Sequence, residues 1–281
     1  MHFKHKVALI TGGSSGIGLA TARLLAEAGA HTWLLARRED VLRDAQADVE
    51  ARQISSGQYC RTLYADVRQV EEVNRAVAEV VEKSGVPDLV VNSAGVVQPG
   101  YFQDLELEDF HRMMDVNYYG SVCVTKAVLP GMLSRGSGHI VFISSLAGLI
   151  GFIGYTGYSG SKFAIRGFSD ALRAEMKPMG INVSIVFPPD TDTPQLAYDN
   201  QHKPPELKAT GANPEAMQPE EVARALLKGV ARKQYFIIPG MEGKILYWLS
   251  SLLGTKMYFV VDLIVAQARR KLQNQKEQLS S

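Results

Sequence analysis

The chain has 281 residues, a formal net charge of +1, 46% hydrophobic residues and 21% charged residues. This composition excludes whole-chain disorder and low-complexity architecture. The near-neutral charge argues against a nucleic-acid-binding surface. Two cysteines, Cys60 and Cys123, cannot build a disulfide framework, so nothing points to an oxidising compartment.

His2, Lys4, His5 and Lys6 precede a short apolar run, Val7–Ile10, that meets a glycine turn. A secretory segment would be longer. The expectation is a first strand in a cytoplasmic protein. Similar apolar runs follow at Thr32–Ala36, Leu89–Val91, Ile140–Ile143 and Val183–Phe187, with a weaker candidate at Arg61–Tyr64. They do not alternate with polar residues, as suits parallel strands covered on both faces. Amphipathic stretches lie between them, at Ile17–Ala28, Glu71–Lys83 and Phe163–Met176. The order predicts βαβ units and a doubly wound α/β sheet. Residues 188–219 are polar and proline-rich and read as a long functional loop with at most one short helix. Residues 1–240 form the predicted domain, and 241–281 a C-terminal apolar helical extension.

Thr11-Gly12-Gly13-Ser14-Ser15-Gly16-Ile17-Gly18 joins the first strand to the first helix. Glycines at 12, 16 and 18 permit a sharp turn and close approach of the backbone to a pyrophosphate. The helix N-terminus then offers free N–H groups to the phosphates. The second strand ends at Ala36-Arg37-Arg38, where folds that prefer NADH carry an acidic residue. Guanidinium groups suit a 2′-phosphate, which favours NADPH. The alternative is that Arg37 and Arg38 are solvated charges beside Glu39 and Asp40.

Tyr158-Ser159-Gly160-Ser161-Lys162 places a phenol and an ammonium on one helical face. A lysine cation is expected to lower the phenol pKa from about 10 and to fit it for proton exchange with an alcohol/ketone couple. Ser144 and Ser145 follow a buried run, at the strand end where ligands bind. Ser145 suits a substrate carbonyl, and Ser144 suits backbone groups. Asn92-Ser93-Ala94-Gly95 ends another strand, and Asn117 falls in a predicted helix.

Together these motifs resemble the short-chain dehydrogenase/reductase family over residues 6 to about 240. The resemblance implies a Rossmann-type fold and a tetrad of Asn117, Ser145, Tyr158 and Lys162. In that scheme Tyr158 protonates the carbonyl, Lys162 also binds the nicotinamide ribose, and Asn117 holds a relay water. It further implies cofactor contacts at Gly12, Ser14, Ser15, Gly16, Ile17, Gly18, Asp66, Val67, Asn92, Pro188 and Thr191. Ser93 departs from the usual alanine. The string Phe187-Pro188-Pro189-Asp190-Thr191-Asp192-Thr193-Pro194 and Lys162–Gly167 are similar to the 3-ketodihydrosphingosine reductases within this family. That implies NADPH-dependent reduction of a long-chain amino ketone. Asp190 and Asp192 are then candidates for the substrate ammonium, and Tyr155 for the cleft wall. Competing readings are a reductase of 3-oxoacyl thioesters, steroids or retinoids, and a catalytically silent nucleotide-binding scaffold.

Residues 245–265 are apolar but interrupted by Gly254, Lys256 and Asp262. A charge at the bilayer centre costs about 2.5–3.5 kcal/mol. Two shorter helices lying on the cytoplasmic face of a membrane are therefore expected, with Lys244, Arg269, Arg270 and Lys271 near headgroups. The alternative is a helix pair that covers the cleft or a dimer partner. A homo-oligomer is expected. The histidines have no metal-ligand spacing.

Overall fold

The computed structural model describes residues 3–210 and 216–280, with residues 210 and 275–280 described by backbone alone. Seven strands, β1 (Val7–Thr11), β2 (His31–Ala36), β3 (Cys60–Tyr64), β4 (Leu89–Asn92), β5 (Gly138–Ile143), β6 (Ile181–Val186) and β7 (Phe236–Ile237), form one sheet. Their order is β3-β2-β1-β4-β5-β6-β7, and every pairing is parallel. The expected doubly wound sheet is present.

The helices between the strands are α1 (Gly16–Glu27), α2 (Glu39–Glu50), α3 (Val70–Ser84), α4 (Leu107–Met114), α5 (Gly120–Arg135) and α6 (Thr156–Met176). After β6 come α7 (Pro194–His202), α8 (Pro205–Thr210) and α9 (Pro219–Ala231), and after β7 come α10 (Met241–Leu253) and α11 (Met257–Ser280).

Successive strand residues face opposite sides of a sheet, and the core divides accordingly. Leu9, Trp33, Leu35, Val90 and Phe142 share one apolar layer with Val77 of α3, Val128 of α5 and Ile165 of α6. Ala8, Ile10, Leu34, Val91 and Val141 share the other with Leu25 of α1, Leu42 of α2 and Leu226 of α9. A third, smaller cluster of Val97, Met113, Ala147, Tyr155, Tyr158 and Leu207 lies outside these layers. The strand order reverses between β1 and β4, which opens a crevice at their carboxyl ends.

The proline-rich segment departs from the expected loop. It holds two helices, α7 and α8, and a parallel bridge from Thr191 to Met217. Prolines stand at or next to the first residue of each helix, where a missing N–H costs nothing. Thr193 caps α7 by accepting the Leu196 N–H at 3.2 Å. The remainder of the expected loop, 211–215, lies outside the described residues.

Candidate active site

The crevice is built by two strand ends in close approach. Thr11 Oγ1 at the end of β1 accepts the N–H groups of Ser93 and Ala94, each at 3.1 Å. A Cβ on Gly12 would meet the Ala94 nitrogen at 2.8 Å, and one on Gly18 the Gly12 carbonyl oxygen at 2.4 Å. Gly12 and Gly16 also adopt φ of 64° and 54°, the left-handed region that favours glycine. Ser15 makes no side-chain cap, and the first turn of α1 carries no acidic residue. Its leading N–H groups are thus left for an anion, together with the positive end of the helix dipole. This cradle fits a dinucleotide pyrophosphate. Asn92 is buried on β4, and neither atom of its amide has a hydrogen-bond partner among the described residues.

The far end of the crevice is basic. Arg37, about half exposed, lies 3.8 Å from Asp66, and Arg68 binds the same carboxylate at 2.7 Å. Burial pushes the Asp66 carboxyl up, but the Arg68 hydrogen bonds and both guanidinium charges outweigh it and hold the carboxyl below its ordinary range. Arg38 is exposed at the start of α2. Val67 is buried against Gly120.

On the other side of the crevice, Tyr158 and Lys162 occupy one face of α6, with Lys162 Nζ 5.5 Å from the Tyr158 ring. Tyr158 is hydrogen-bonded to Ser145, just beyond β5. Lys162 Nζ donates to the Ile143 carbonyl at 3.0 Å, and Ser144 Oγ donates to the Lys162 carbonyl at 3.0 Å. Ser144 therefore serves the backbone, as expected.

Asn117 lies in a π-helical turn, Asp115–Tyr119, between α4 and α5. Its Oδ1 accepts the Val96 N–H at 2.8 Å, and its Nδ2 donates to the Val96 carbonyl and to Ser161 Oγ, each at 2.9 Å. A Cβ on Gly95 would lie 3.3 Å from Asn117 Oδ1 and 3.6 Å from Lys162 Nζ. All four tetrad residues thus border one small space. Its electrostatics differ from the expected picture. Burial pushes the Tyr158 phenol up, the Ser145 hydrogen bond opposes this, and the charges of Asp199 and Asp190 add to it. Burial also pulls the Lys162 ammonium down to about 8. The dominant effect of the site is to hold the phenol protonated. Desolvation disfavours the charged form of each group.

Helix α7 closes this space and supplies residues that motif reading missed. The Thr193 methyl stands 2.9 Å from where a Gly16 Cβ would be, so the cap of α7 touches the phosphate loop. Gln195 hydrogen-bonds the Tyr158 hydroxyl. One turn on, Asp199 is buried, accepts the Tyr155 hydroxyl at 2.5 Å and pairs with Lys203 at 3.0 Å. Lys203 also pairs with Asp190 at 3.0 Å. Thr191 is buried and its hydroxyl donates to the Pro189 carbonyl at 2.8 Å, while Asp192 is exposed. The Thr-Pro start of α7 was a readable helix signal, masked by the density of prolines around it.

The C-terminal helices flank the closure. Glu206 on α8 accepts the Tyr101 hydroxyl and pairs with Arg269 of α11 at 3.3 Å. A cavity of about 510 Å³ is lined by Ile153, Val261, Asp262, Val265, Ala266 and Arg269. A Gly243 Cβ would meet Leu146, the neighbour of Ser145, at 3.1 Å, so α10 starts beside the site. The stretch Met241–Asn274 is long and apolar enough to cross a membrane, with mean hydropathy 1.5 and 6% of its apolar window buried. It is interrupted at Gly254 by a 3₁₀ turn.

A parallel sheet with a dinucleotide cradle, beside a Ser/Tyr/Lys cluster, defines a nicotinamide-dependent oxidoreductase. The short chain dehydrogenase family profile matches residues 6–204, and the chain belongs to that family. It is similar to the 3-ketodihydrosphingosine reductase of Bos taurus, 41% identical over 245 residues that cover 87% of this chain and 73% of that protein. It is 42% identical to the 3-dehydrosphinganine reductase of Danio rerio, with the same coverage. A short-chain dehydrogenase from Sphingobium yanoikuyae, solved in complex with NADPH, superposes with a TM-score of 0.75 at 27% identity, covering 92% of this chain and 96% of that one. Levodione reductase shares the fold, with a TM-score of 0.79 at 24% identity, covering 86% of this chain and 99% of the other.

Proposed function

We propose that this chain uses NADPH to reduce the ketone of a long-chain amino ketone, 3-ketodihydrosphingosine, to the alcohol. The chemistry rests on one observation above all: a buried phenol, Tyr158, with Lys162 Nζ 5.5 Å from its ring and Ser145 beside it, at a dinucleotide crevice. The substrate rests on the relatives named for it, which match most of this chain.

A bound NADPH would supply the hydride. Gly12, Ser14, Ser15, Gly16, Ile17 and Gly18 would hold its pyrophosphate through backbone N–H groups and the α1 dipole. Arg37 and Arg38 would take the 2′-phosphate. Asp66 and Val67 would border the adenine, and Asn92, Pro188 and Thr191 would line the nicotinamide half. Ser145 donates a hydrogen bond to the substrate carbonyl. Tyr158 gives its proton to the same oxygen as negative charge develops there. Lys162 holds the nicotinamide ribose and stabilises the phenolate left on Tyr158. Asn117 Oδ1 has accepted one N–H and keeps a second lone pair, enough to hold a relay water.

The ketone carries a long alkyl chain, and each methylene it buries is worth about 0.8 kcal/mol. Such a substrate resides in bilayers. We assign residues 1–240 to the reductase unit and 241–281 to an extension that rests on the cytoplasmic face of a membrane. Trp248, Leu252, Phe259 and Leu263 are exposed, and Lys244, Arg269, Arg270 and Lys271 supply positive charge.

The deciding experiment is NADPH oxidation by the purified chain over a ketone panel in mixed micelles. The panel contains the long-chain amino ketone, a 3-oxoacyl thioester, a steroid ketone and a retinoid ketone. Turnover is expected to be greatest with the amino ketone. Greater turnover with any other member would replace this substrate. No turnover with any member would favour a silent nucleotide-binding scaffold.

A further inference from the structure

Asp199 is buried on α7, 5% exposed, and one of its two carboxylate oxygens is used twice. Oδ2 accepts the Tyr155 hydroxyl and the Lys203 ammonium. Oδ1 has no hydrogen-bond partner among the described residues and is shielded from solvent. A buried carboxylate oxygen left unsatisfied is destabilising. Lys203 also serves Asp190, so with all three groups ionised Asp190, Asp199 and Lys203 carry one more negative charge than positive.

This excess charge stands beside the reacting atoms. The Tyr155 ring that Asp199 holds packs 5.4 Å from the Tyr158 ring. Gln195, four residues before Asp199 on the same helical face, reaches the Tyr158 hydroxyl. Asp199 is thus one helical turn, about 5.4 Å of rise, beyond the residue that touches the proton donor. A ketone taking the place of the Gln195 amide at Tyr158 would bring a substituent on its neighbouring carbon toward that next turn. The other acidic candidates are less suited. Asp190 has a side chain 62% exposed and is already paired with Lys203, and Asp192 is exposed.

We propose that Asp199 is a specificity-determining residue whose free Oδ1 binds the ammonium on the carbon next to the substrate ketone. The inference rests on the amino-ketone reading above and deepens it. Lys203 and Tyr155 hold the carboxylate in place, and Lys203 offsets only one of the two acidic charges. A cationic substrate completes the balance. A neutral ketone leaves the oxygen unsatisfied, and an anionic one is repelled.

The test compares the full chain and its variants on two ketones, the long-chain 2-amino-3-ketone and the same molecule with hydrogen in place of the amine. The readout is the ratio of their kcat/KM values with NADPH. The wild type is expected to favour the amino ketone. In Asp199→Asn, which keeps the shape and the Tyr155 contact, that ratio is expected to fall by roughly tenfold or more, the worth of a charge-assisted hydrogen bond. Asp190→Asn, which removes an exposed charge from the same group, is expected to move the ratio far less. A ratio unchanged in Asp199→Asn, with both rates falling together, would make Asp199 a structural residue and overturn the inference. If the Asn variant does not fold, Asp199→Glu decides. It keeps the charge for Lys203 but displaces the oxygen, so the same ratio must fall, and a ratio kept overturns the proposal. A wild type that reduces only the amine-free ketone would overturn the amino-ketone reading and this inference together. A wild type that favours the amine but is indifferent to both Asp199 variants overturns the inference alone.

Discussion

The two walls of the cleft are held in different ways. The wall carrying Ser145, Tyr158 and Lys162 is anchored by side chains that bond to backbone carbonyls: Lys162 Nζ donates to the carbonyl of Ile143, the last residue of β5, and Ser144 Oγ, just beyond β5, donates to the carbonyl of Lys162 on α6. The facing wall, α7 and α8, is held by side chains alone over much of its length, through the Tyr155–Asp199–Lys203–Asp190 chain and the Tyr101–Glu206–Arg269 group. A backbone-anchored wall keeps reacting groups within the tolerance that catalysis demands. A wall held by ion pairs can be exchanged for different substrates without disturbing the chemistry. On the reading proposed above, reaction type falls to one wall and substrate choice to the other.

The sharpest break in this comparison is at the proton donor. Tyr158→Phe removes the hydroxyl and keeps the ring, so turnover is expected to fall by about a hundredfold or more. NADPH binding, read by fluorescence titration, should persist because the glycine cradle is untouched. Near-normal turnover would remove Tyr158 from the chemistry.

The next effect is on stability. Burial depresses the Lys162 ammonium to about 8 from its ordinary 10.5. Below pH 8 the lysine is charged in both folded and unfolded chains, and the folded state bears the full cost of the buried charge. Between pH 8 and 10.5 the unfolded chain binds more protons, so stability rises with pH and the cost fades. Lys162→Met is therefore expected to abolish activity yet stabilise the fold at pH 7 by roughly 3 kcal/mol, less the lost bond to Ile143. That gain should shrink on approaching pH 10.5. Denaturant melts at pH 7 and 10 measure it, and a variant less stable at both would show that the buried amine is well solvated by its partners.

Motif and periodicity reading reached the backbone-anchored wall and failed on the other, for physical reasons. β1, β2, β4, β5 and β6 are buried along nearly their whole length, so their apolar runs were unmistakable. The glycines at 12, 16 and 18 and the Tyr158/Lys162 pair are local patterns fixed by short-range sterics. β7 has two residues, too few for any period. The π-helical turn around Asn117 reads as ordinary helix in sequence, because its extra residue is fixed by contacts to Val96 and Ser161. The burial of Asp199 depends on Tyr155, 44 residues away, and no local pattern announces it. The expected lowering of the Tyr158 phenol failed for a related reason. Spacing shows a lysine four residues off but not the burial that outweighs it.

Cofactor choice gives a smaller effect, on the basic end of the crevice. Arg37→Ala with Arg38→Ala is expected to raise the apparent KM for NADPH about tenfold or more while leaving NADH little changed. Asp66 keeps Arg68 as its partner in this variant, so the adenine side should stay in place. Equal losses with both cofactors would refute the phosphate contact.

The smallest effect lies on α10, outside both walls. Trp248 and Leu252 of α10 are 72% and 83% exposed, one helical turn apart on the same face. Neither serves the core, so replacing them should not unfold the protein, whereas Tyr247 beside them packs on Phe236. If α10 rests in a bilayer surface, Trp248→Ser with Leu252→Ser removes apolar area worth about 1.5–3 kcal/mol per side chain when fully buried. Partial immersion lowers that figure, so a fall of several-fold or more in liposome partitioning is expected, read by flotation with anionic vesicles. KM for the long-chain ketone presented in vesicles should rise in step. KM for a short water-soluble ketone should stay constant, because α7 and the anchored wall are unaltered. If the variant instead floats as the parent does but changes its sedimentation, the exposed face packs on a second copy of the chain. That face of α10 would then be covered by protein rather than lipid.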